Sequence, residues 1–471
     1  MGRRLSLGPS REEVLNQASD FRERFRSSRG FSISPENHEE SSEVLQAVCA
    51  LLAEECTSRP GAVLEEVSDL YANLSRTTWT SDILQEREGV LCSLAFLAWR
   101  TSRVLRLTKT AQRWEAEYAS VFRQTLMWEV LEAVCAADDT LDVAAGPNAP
   151  CDPERIFQIT LFLQDQREVI PERTLATAEA FYRLLSESEL SLDIRPFFLA
   201  NAALLAGGSL RQIGRPRSVE RWIELAESHL KDDPDPTASL ARVSFLRLAV
   251  LHEQSRYELV TQSASALDQT FADLGMEEDR VKCRILWAAS LKILGRFEEA
   301  LDVLEAPRAW RHRIRSGLFG WVLLQSGDLH QLCGLHSLAL KELAEAERLL
   351  REGRQLTGLA DVHSMISCIY RSFGMLREAL HLLKSSCYEH AKLGLKSLEA
   401  HNRMLIAETY LAMGRPHDAE TEIRAAIPVF EDEGMVADAV VAVSLLREAI
   451  RRQKLEPRPV VDIRDRFRPK K

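Results

Sequence analysis

The apolar positions in the C-terminal half of the chain repeat at a nearly constant interval. Six short turns have the form small residue, four residues, small residue, and successive turns lie 41, 40, 39, 40 and 40 residues apart. They begin at Gly214, Ser255, Gly295, Gly334, Gly374 and Gly414. A fixed period of this length is typical of stacked supersecondary units. We therefore predict that residues 191–450 form one elongated stack rather than a closed globule.

Small and large side chains alternate at fixed distances from each turn. Seven residues before the turn, five of the six units carry a small residue, as the close approach of two helices requires. These positions hold Gly207, Leu248, Ala288, Gly327, Ser367 and Ala407. Nine residues after the turn the side chains are mostly large, at Ile223, Ala264, Leu304, Leu343, Leu383 and Ile423. The pattern predicts two antiparallel helices per unit, helix A before the turn and helix B after it, with Pro307 ending one B helix early.

An aromatic residue follows the turn by two positions at Tyr257 and Phe297, and a small residue follows it by five, as at Ala300. With the small residue in helix A, this pattern resembles the tetratricopeptide repeat (TPR). The units exceed the ~34 residues of the standard repeat and in this resemble the long-repeat domains of bacterial regulators and kinesin light chains. The resemblance implies an all-α protein, a right-handed α-solenoid of antiparallel helix pairs. It implies six repeats plus a capping helix within residues 191–450, and a concave surface that binds a partner.

The N-terminal part of the chain lacks the turn signature. Residues 1–40 are rich in Gly, Ser, Pro and charge without sustained periodicity, and we expect a mobile arm there, or one short helix followed by a loop. Residues 41–190 are amphipathic and are interpreted as degenerate repeats or a helical bundle. Helices are expected from about Ser41 and over approximately 60–76, 83–105, 108–136, 153–167 and 171–188.

Charge is distributed unevenly along the chain. The net charge is −10, but residues 451–471 hold nine Lys/Arg against three Asp/Glu, and residues 1–30 hold seven against four. The acidic body between them should repel phosphates, so a nucleic-acid partner is not expected except through the basic termini. We interpret 451–471 as a disordered basic tail. No apolar run reaches the ~18 residues that would span a bilayer, and the nine cysteines contain no C-x-x-C pair, so we predict a cytoplasmic protein with no membrane association.

Residues 308–315 form a basic segment around Trp310. Charge and stacking there could hold a phosphate or a nucleic-acid strand. The alternative is a connection between repeats that covers an acidic neighbour, and this interpretation is the one we adopt.

Motifs for catalysis are absent from the sequence. There is no P-loop, no G-x-S-x-G and no H-E-x-x-H, and the eleven histidines show no ligand spacing. The string Asp138-Asp139-Thr140-Leu141-Asp142 locally resembles the magnesium-binding aspartates of class I terpene synthases, but no second metal motif accompanies it. We interpret it as an acidic loop, and we predict no catalytic residue, metal or cofactor. An enzyme within residues 41–190 stays open as an alternative, and it would require a polar pocket with perturbed carboxylates.

The TPR resemblance implies that outward positions of the A helices line the binding groove. The candidate residues for that groove are Asn201, Arg211, Arg242, His252, Lys282, Lys292, Asp328, Gln331, Asp361, Arg371, His401 and Glu408. The first three units are basic there, and the last three are mixed to acidic. Such a gradient would orient a peptide with the opposite gradient. TPR co-chaperones grip a C-terminal carboxylate with Lys and Asn at equivalent positions, and this chain lacks that clamp.

We therefore expect a non-enzymatic scaffold or adaptor that binds a peptide or protein partner in its groove. Besides the enzyme, one more alternative is open, a ligand- or peptide-sensing regulatory protein coupled to transcription or signalling.

Overall fold

The computed structural model of the chain describes residues 11–27, 42–76, 84–122, 153–167, 171–187, 193–213, 215, 218–392, 394–432 and 435–455. All regular structure in these residues is helical. No helix among them is both long enough and apolar enough to cross a bilayer.

The helices of the N-terminal region share one core. They are α1 (Arg11–Ser27), α2 (Ser42–Glu55), α3 (Pro60–Arg76), α4 (Leu84–Val104), α5 (Thr108–Val121), α6 (Pro153–Gln166) and α7 (Pro171–Glu187). Their buried side chains form a single apolar cluster that continues into the next helix, at Phe197 and Ala206. Trp99 lies at its centre, with ring contacts to Phe157 and Phe197. The cluster joins this region to the first repeat without a break.

Residues 11–27, the part of 1–40 that the structure describes, form α1, the short helix that the sequence left open beside a mobile arm. Ala18 and Phe21 are fully buried. Arg22 is also buried and donates to Glu66 at 2.9 Å and to Glu55 at 2.9 Å. The guanidinium holds the pKa of Glu55 at about 2. Arg22 and Arg26 of this charged segment thus form an ion-pair network with Glu55 and Glu66, and the network holds the helix in place.

Six helix pairs and one last helix follow. The A helices are α8 (Arg195–Gln212), α10 (Thr237–Glu253), α12 (Glu277–Ile293), α14 (Ser316–Leu332), α16 (Leu356–Ser372) and α18 (Lys396–Ala412). The B helices are α9 (Val219–Leu230), α11 (Tyr257–Leu274), α13 (Phe297–Ala309), α15 (His336–Glu352), α17 (Leu376–Lys392) and α19 (Pro416–Asp432). The last helix is α20 (Val436–Leu455). As the proline predicts, α13 is short, with 13 residues, and ends two residues after Pro307.

The predicted turns are equivalent corners between the A and B helices. Ser255, Gly295, Gly334, Gly374 and Gly414 all have positive φ, between 61° and 76°. At each corner the next N–H bonds to the carbonyl five residues back, as from Arg296 to Leu291 at 2.9 Å. This is the Schellman closure of a helix C-terminus, which needs a left-handed residue. Gly214 is outside the described residues, but the same bond joins Arg215 to Leu210 at 2.9 Å.

The small positions are where helices A and B touch. A Cβ atom on Gly327 would lie 2.9 Å from Cγ of Leu343 and 3.4 Å from the carbonyl of Ala339. Leu343 and Ala339 are both on the B helix, and both residues are fully buried. Five residues after the turn, Ala300 and Ala379 are likewise at 0% exposure. The alternation of small and large residues is therefore the contact surface of each helix pair.

The helix predicted over 108–136 is interrupted. Helix α5 ends at Val121, and Phe122 adopts extended backbone, with φ −66° and ψ 110°; residues 123–136 lie outside the described residues. The acidic string at 138–142 and the tail beyond Leu455 lie outside the described residues.

Candidate functional site: the A-helix face

The twelve candidate residues fall in three rows along the A helices, thirteen, six and three residues before each turn. The first row is Asn201, Arg242, Lys282, Trp321, Asp361 and His401; the second is Gly208, Ala249, Ala289, Asp328, Cys368 and Glu408; the third is Arg211, His252, Lys292, Gln331, Arg371 and Leu411. We call the surface formed by these rows the A-helix face. Spacings of seven and ten residues keep the rows on one side of a helix. In folds similar to the TPR, this side lines the concave wall.

Ion pairs join neighbouring A helices across this face. A basic residue on one A helix reaches an acidic residue 36 to 42 positions later, on the next A helix or, from the sixth A helix, on α20. The pairs are Arg211–Glu253 at 2.9 Å, Arg242–Asp279 at 3.2 Å, Lys292–Asp328 at 2.5 Å, Arg371–Glu408 at 2.7 Å and His401–Asp438 at 3.1 Å. Stacking the repeats brings these partners side by side, and the pairs hold successive A helices in register.

This pairing changes the electrostatics expected from the sequence. Lys292 and Asp328 were predicted as separate groove charges, as were Arg371 and Glu408, yet each pair is a contact between neighbouring helices. The charges that made the first three units basic are therefore largely neutralised within the stack. The gradient of sign along the groove is weaker than the sequence indicates.

The remaining candidates differ in their partners. Asn201 is buried and donates from Nδ2 to the carbonyl of Phe197 on its own helix at 2.9 Å. A ring nitrogen of His252, Nδ1, is 2.8 Å from the hydroxyl of Ser290, and burial lowers the His252 pKa to about 4. Lys282 lies 4.0 Å from Asp279 on its own helix. Gln331 is half-buried on the face.

A cleft of about 580 Å³ opens at the start of the A-helix face. One wall comes from α5, the residue after it and α6, through Ala119, Phe122 and Gln164. The opposite wall comes from the A helices of the first three repeats. Four candidates line it, namely Asn201, Arg211, Arg242 and Lys282.

Sequence reasoning missed the N-terminal wall of this cleft. Arg242 donates to Glu115 of α5 at 3.0 Å as well as to Asp279. Gln112 and Glu115 are each 8% exposed. The repeat pattern contained no signal for this contact, because α5 lies outside the repeats. The N-terminal region thus supplies part of the candidate site.

Asp361 stands in the first row, in the middle of the face, and differs from the other acids there. Its closest basic atom is Nε2 of His390, 3.8 Å from Oδ1, which is too long for a hydrogen bond. Burial raises the pKa of Asp361 to about 7, an effect that the nearby charge of Lys292 partly offsets. The side chain nonetheless keeps 28% of its surface exposed. It is an accessible carboxylate on which a negative charge is costly.

A buried polar network lies beneath Asp361. Asn402 accepts from Ser364 at 2.7 Å and donates to Ser386 at 2.8 Å. Its Nδ2 also lies 2.8 Å from Nδ1 of His390. Because that amide nitrogen can only donate, Nδ1 accepts and the imidazole proton resides on Nε2, toward Asp361.

The basic segment 308–315 pairs with acidic residues of neighbouring helices, although Arg311 and Arg315 stay about half exposed. Arg308 pairs with Glu342, Arg311 with Glu345 at 2.9 Å and Arg315 with Glu278 at 2.8 Å. The ring of Trp310 lies under the guanidinium of Arg280 at 4.4 Å. These contacts tie the third repeat to its neighbours.

The described residues contain no group of three or more metal-ligating side chains. In the described part of 41–190, Glu55 has a lowered pKa, and its hydrogen bonds from Arg22 and Arg59 account for the shift.

No protein-family model matches this chain, and no curated protein matches it. Solved structures do match. The Rap conjugation gene regulator of plasmid pLS20, in complex with the Phr* peptide, is 12% identical, with a TM-score of 0.50 over 84% of this chain and 97% of that chain. Yeast Tom70 is 12% identical, with a TM-score of 0.40 over 98% of this chain and 100% of that chain. A STAND protein with a TPR sensor from Pyrococcus horikoshii is 11% identical, with a TM-score of 0.36 over 93% of this chain and 77% of that chain.

Helix pairs that repeat every 39 to 41 residues and close on equivalent left-handed corners agree with the similarity to the Rap structure. The chain has the fold of the TPR-like helical-repeat proteins.

Proposed function

We propose that this chain is a non-enzymatic cytoplasmic interaction protein that binds an extended segment of a protein or peptide partner along its A-helix face. The observation that carries the proposal is the cleft at the start of that face, about 580 Å³ in volume and lined from two sides. Its walls combine apolar side chains, such as Phe122 and Phe245, with charged ones, such as Arg242 and Glu277. Peptide sites commonly use this mixture, because apolar contact supplies affinity and a few polar groups fix orientation.

The fold comparison supports the same class of ligand. The Rap regulator of similar fold was solved with a bound peptide. We extend only the class of ligand to this chain, not its identity.

One observation favours a sensing role over a passive scaffold. Arg242 contacts Glu115 of the N-terminal region and Asp279 of the third repeat at the same time. A ligand that enters the cleft meets both parts of the protein, so its binding can change how they contact each other. We therefore keep a peptide-sensing regulator as the second candidate function.

Blocking the cleft tests the proposal. Ala119 is an exposed residue of α5 that lines the cleft, so Ala119→Trp fills space without removing a contact. Ala266→Trp on the exposed surface of α11 is the matched control. Peptides selected from a displayed random library on the unmodified chain should lose at least tenfold in affinity for Ala119→Trp and bind Ala266→Trp normally. Equal binding to both variants would remove the cleft from the site.

A further inference from the structure

We propose that Asp361 is the point on the A-helix face that recognises a cationic side chain of the bound peptide, an arginine in preference to a lysine. This inference rests on the proposed function. It adds a specificity determinant in the fifth repeat, well beyond the cleft at the start of the face.

Asp361 lacks a close basic partner. Four other acids on or beside the described A-helix face have one: Arg242 for Asp279, Lys292 for Asp328, Arg371 for Glu408 and His401 for Asp438. Asp361 has only the ring nitrogen of His390 at 3.8 Å. In each of these pairs the basic residue lies in the repeat before the acid. In the repeat before Asp361, the first row holds Trp321 instead of a basic residue.

The cations near Asp361 have other partners. Lys292, two repeats earlier, and His401, in the next repeat, influence the titration of Asp361, but their own contacts are to Asp328 and Asp438. Asp328 itself opposes ionisation of Asp361. Neither cation is therefore free to neutralise Asp361, and a cation from outside would relieve the cost of its charge.

A neutral donor lies beneath the carboxylate of Asp361. His390 is 1% exposed, and its Nε2 makes no hydrogen bond. Asn402 fixes the proton on that atom, and burial lowers the His390 pKa to about 4. The uncharged imidazole thus has its Nε2 3.8 Å from Oδ1, while the backbone at Thr357 and Leu398 also interacts with the ring. It can orient the carboxylate while leaving the negative charge for a ligand.

An indole lies one helical turn from Asp361. Gly358 precedes Asp361 by three residues on α16, so the two share a side of the helix. A Cβ atom on Gly358 would lie 2.9 Å from Cδ2 of Leu350 and 3.1 Å from Cζ2 of Trp321, so the edge of the indole reaches this side. Trp321 is half-buried. A guanidinium can pair with a carboxylate while stacking on an aromatic face, and an ammonium does this less well.

A positional-scanning library tests the inference. The probes are acetylated, amidated decapeptide pools in which one position is fixed as Arg, Lys, citrulline or Glu and the others are mixed. On the unmodified chain, at least one Arg pool should bind about tenfold more tightly than the citrulline and Glu pools with the same fixed position, as expected for a charge-assisted hydrogen bond. Asp361→Asn should abolish that preference. Asp302→Asn, an exposed acid on helix α13 with the same change in charge, should retain it.

The outcomes separate this inference from the proposed function. Pools that bind without an Arg preference, or a preference that survives Asp361→Asn, would overturn the role of Asp361 and leave peptide binding intact. If no pool binds the unmodified chain, the proposed function fails, and this inference fails with it. Urea unfolding of Asp361→Asn checks that any loss of binding does not come from a loss of folding.

Discussion

The guanidinium of Arg242 lies 3.0 Å from the carboxylate of Glu115, a residue 127 positions earlier in the chain. On its other side the same guanidinium reaches Asp279, one repeat later, at 3.2 Å. One side chain therefore connects the N-terminal region, the second repeat and the third. Its own side chain is only 19% exposed, so these contacts are shielded from water and should stabilise the fold measurably.

We expect Arg242→Ala to destabilise the protein by about 1 to 3 kcal/mol, because removing one member of a largely buried cluster leaves two carboxylates without their partner. The free energy of urea unfolding measures this. Arg247→Ala on the same helix is the control. Its pairs with Glu220 and Glu227 involve a side chain that is 43% exposed, so the change should stay below about 0.5 kcal/mol. Equal losses for the two variants would contradict a special role for Arg242.

The turn geometry predicts opposite effects for two substitutions. Gly374 has φ +75°, and a Cβ atom there would meet nothing within 4 Å. Gly374→Ala should therefore cost about 1 kcal/mol through backbone strain alone. Ser255 holds the equivalent corner at φ +61° without being glycine, so Ser255→Gly should stabilise by about 0.5 to 1 kcal/mol. Unfolding measurements with the same sign for both changes would contradict the equivalence of the corners.

The contact between helices A and B can be overpacked. Ala379 is fully buried in the fifth repeat, so Ala379→Leu should cost about 1 to 3 kcal/mol. Ala266→Leu, on the exposed side of α11, should be nearly neutral. A neutral Ala379→Leu in urea unfolding would show that the register of the repeat is wrong.

These corners and small positions are the part of the fold that the sequence predicts well. A left-handed corner favours glycine, and a close helix contact favours a small residue, so local chemistry marks both. Gly295 could be assigned to a corner, and Ala300 to a helix contact, without knowledge of any distant contact. The all-helical stack follows from their spacing.

The candidate site is predicted less well, because its chemistry depends on contacts between repeats. Lys292 contacts Asp328 because of how far each A helix is shifted along the next one when the repeats stack. Nothing local to either residue reveals it. Glu115 and Arg22 lie outside the repeat, so its period gives no information about their partners. The sequence placed twelve residues on the A-helix face but could not tell that many of the charges among them neutralise each other.

The raised pKa of Asp361 predicts a pH-dependent effect on stability. An aspartate titrates near 3.9 in an unfolded chain, and Asp361 titrates at about 7 in the fold. Between these values the folded protein binds more protons than the unfolded chain, so this group lowers stability as pH rises from 4 to 7. Asp361→Asn should therefore be more stable than the parent by about 1 to 4 kcal/mol at pH 8 and equally stable near pH 4.

Urea unfolding at pH 4, 6 and 8 measures this difference, with Asp302→Asn as the control. A gain in stability together with a loss of Arg-peptide binding is the combination expected of a residue kept for recognition. Destabilisation by Asp361→Asn at pH 8 would instead assign it a structural role.

The most direct test of peptide binding is to find where a bound peptide lies. A peptide selected from the library, carrying a photo-reactive group, is cross-linked to the chain and the modified residues are mapped by mass spectrometry. We predict cross-links on the A helices and on the cleft wall formed by α5 and α6, and their loss in Ala119→Trp. Cross-links confined to the B helices would contradict binding along the A-helix face.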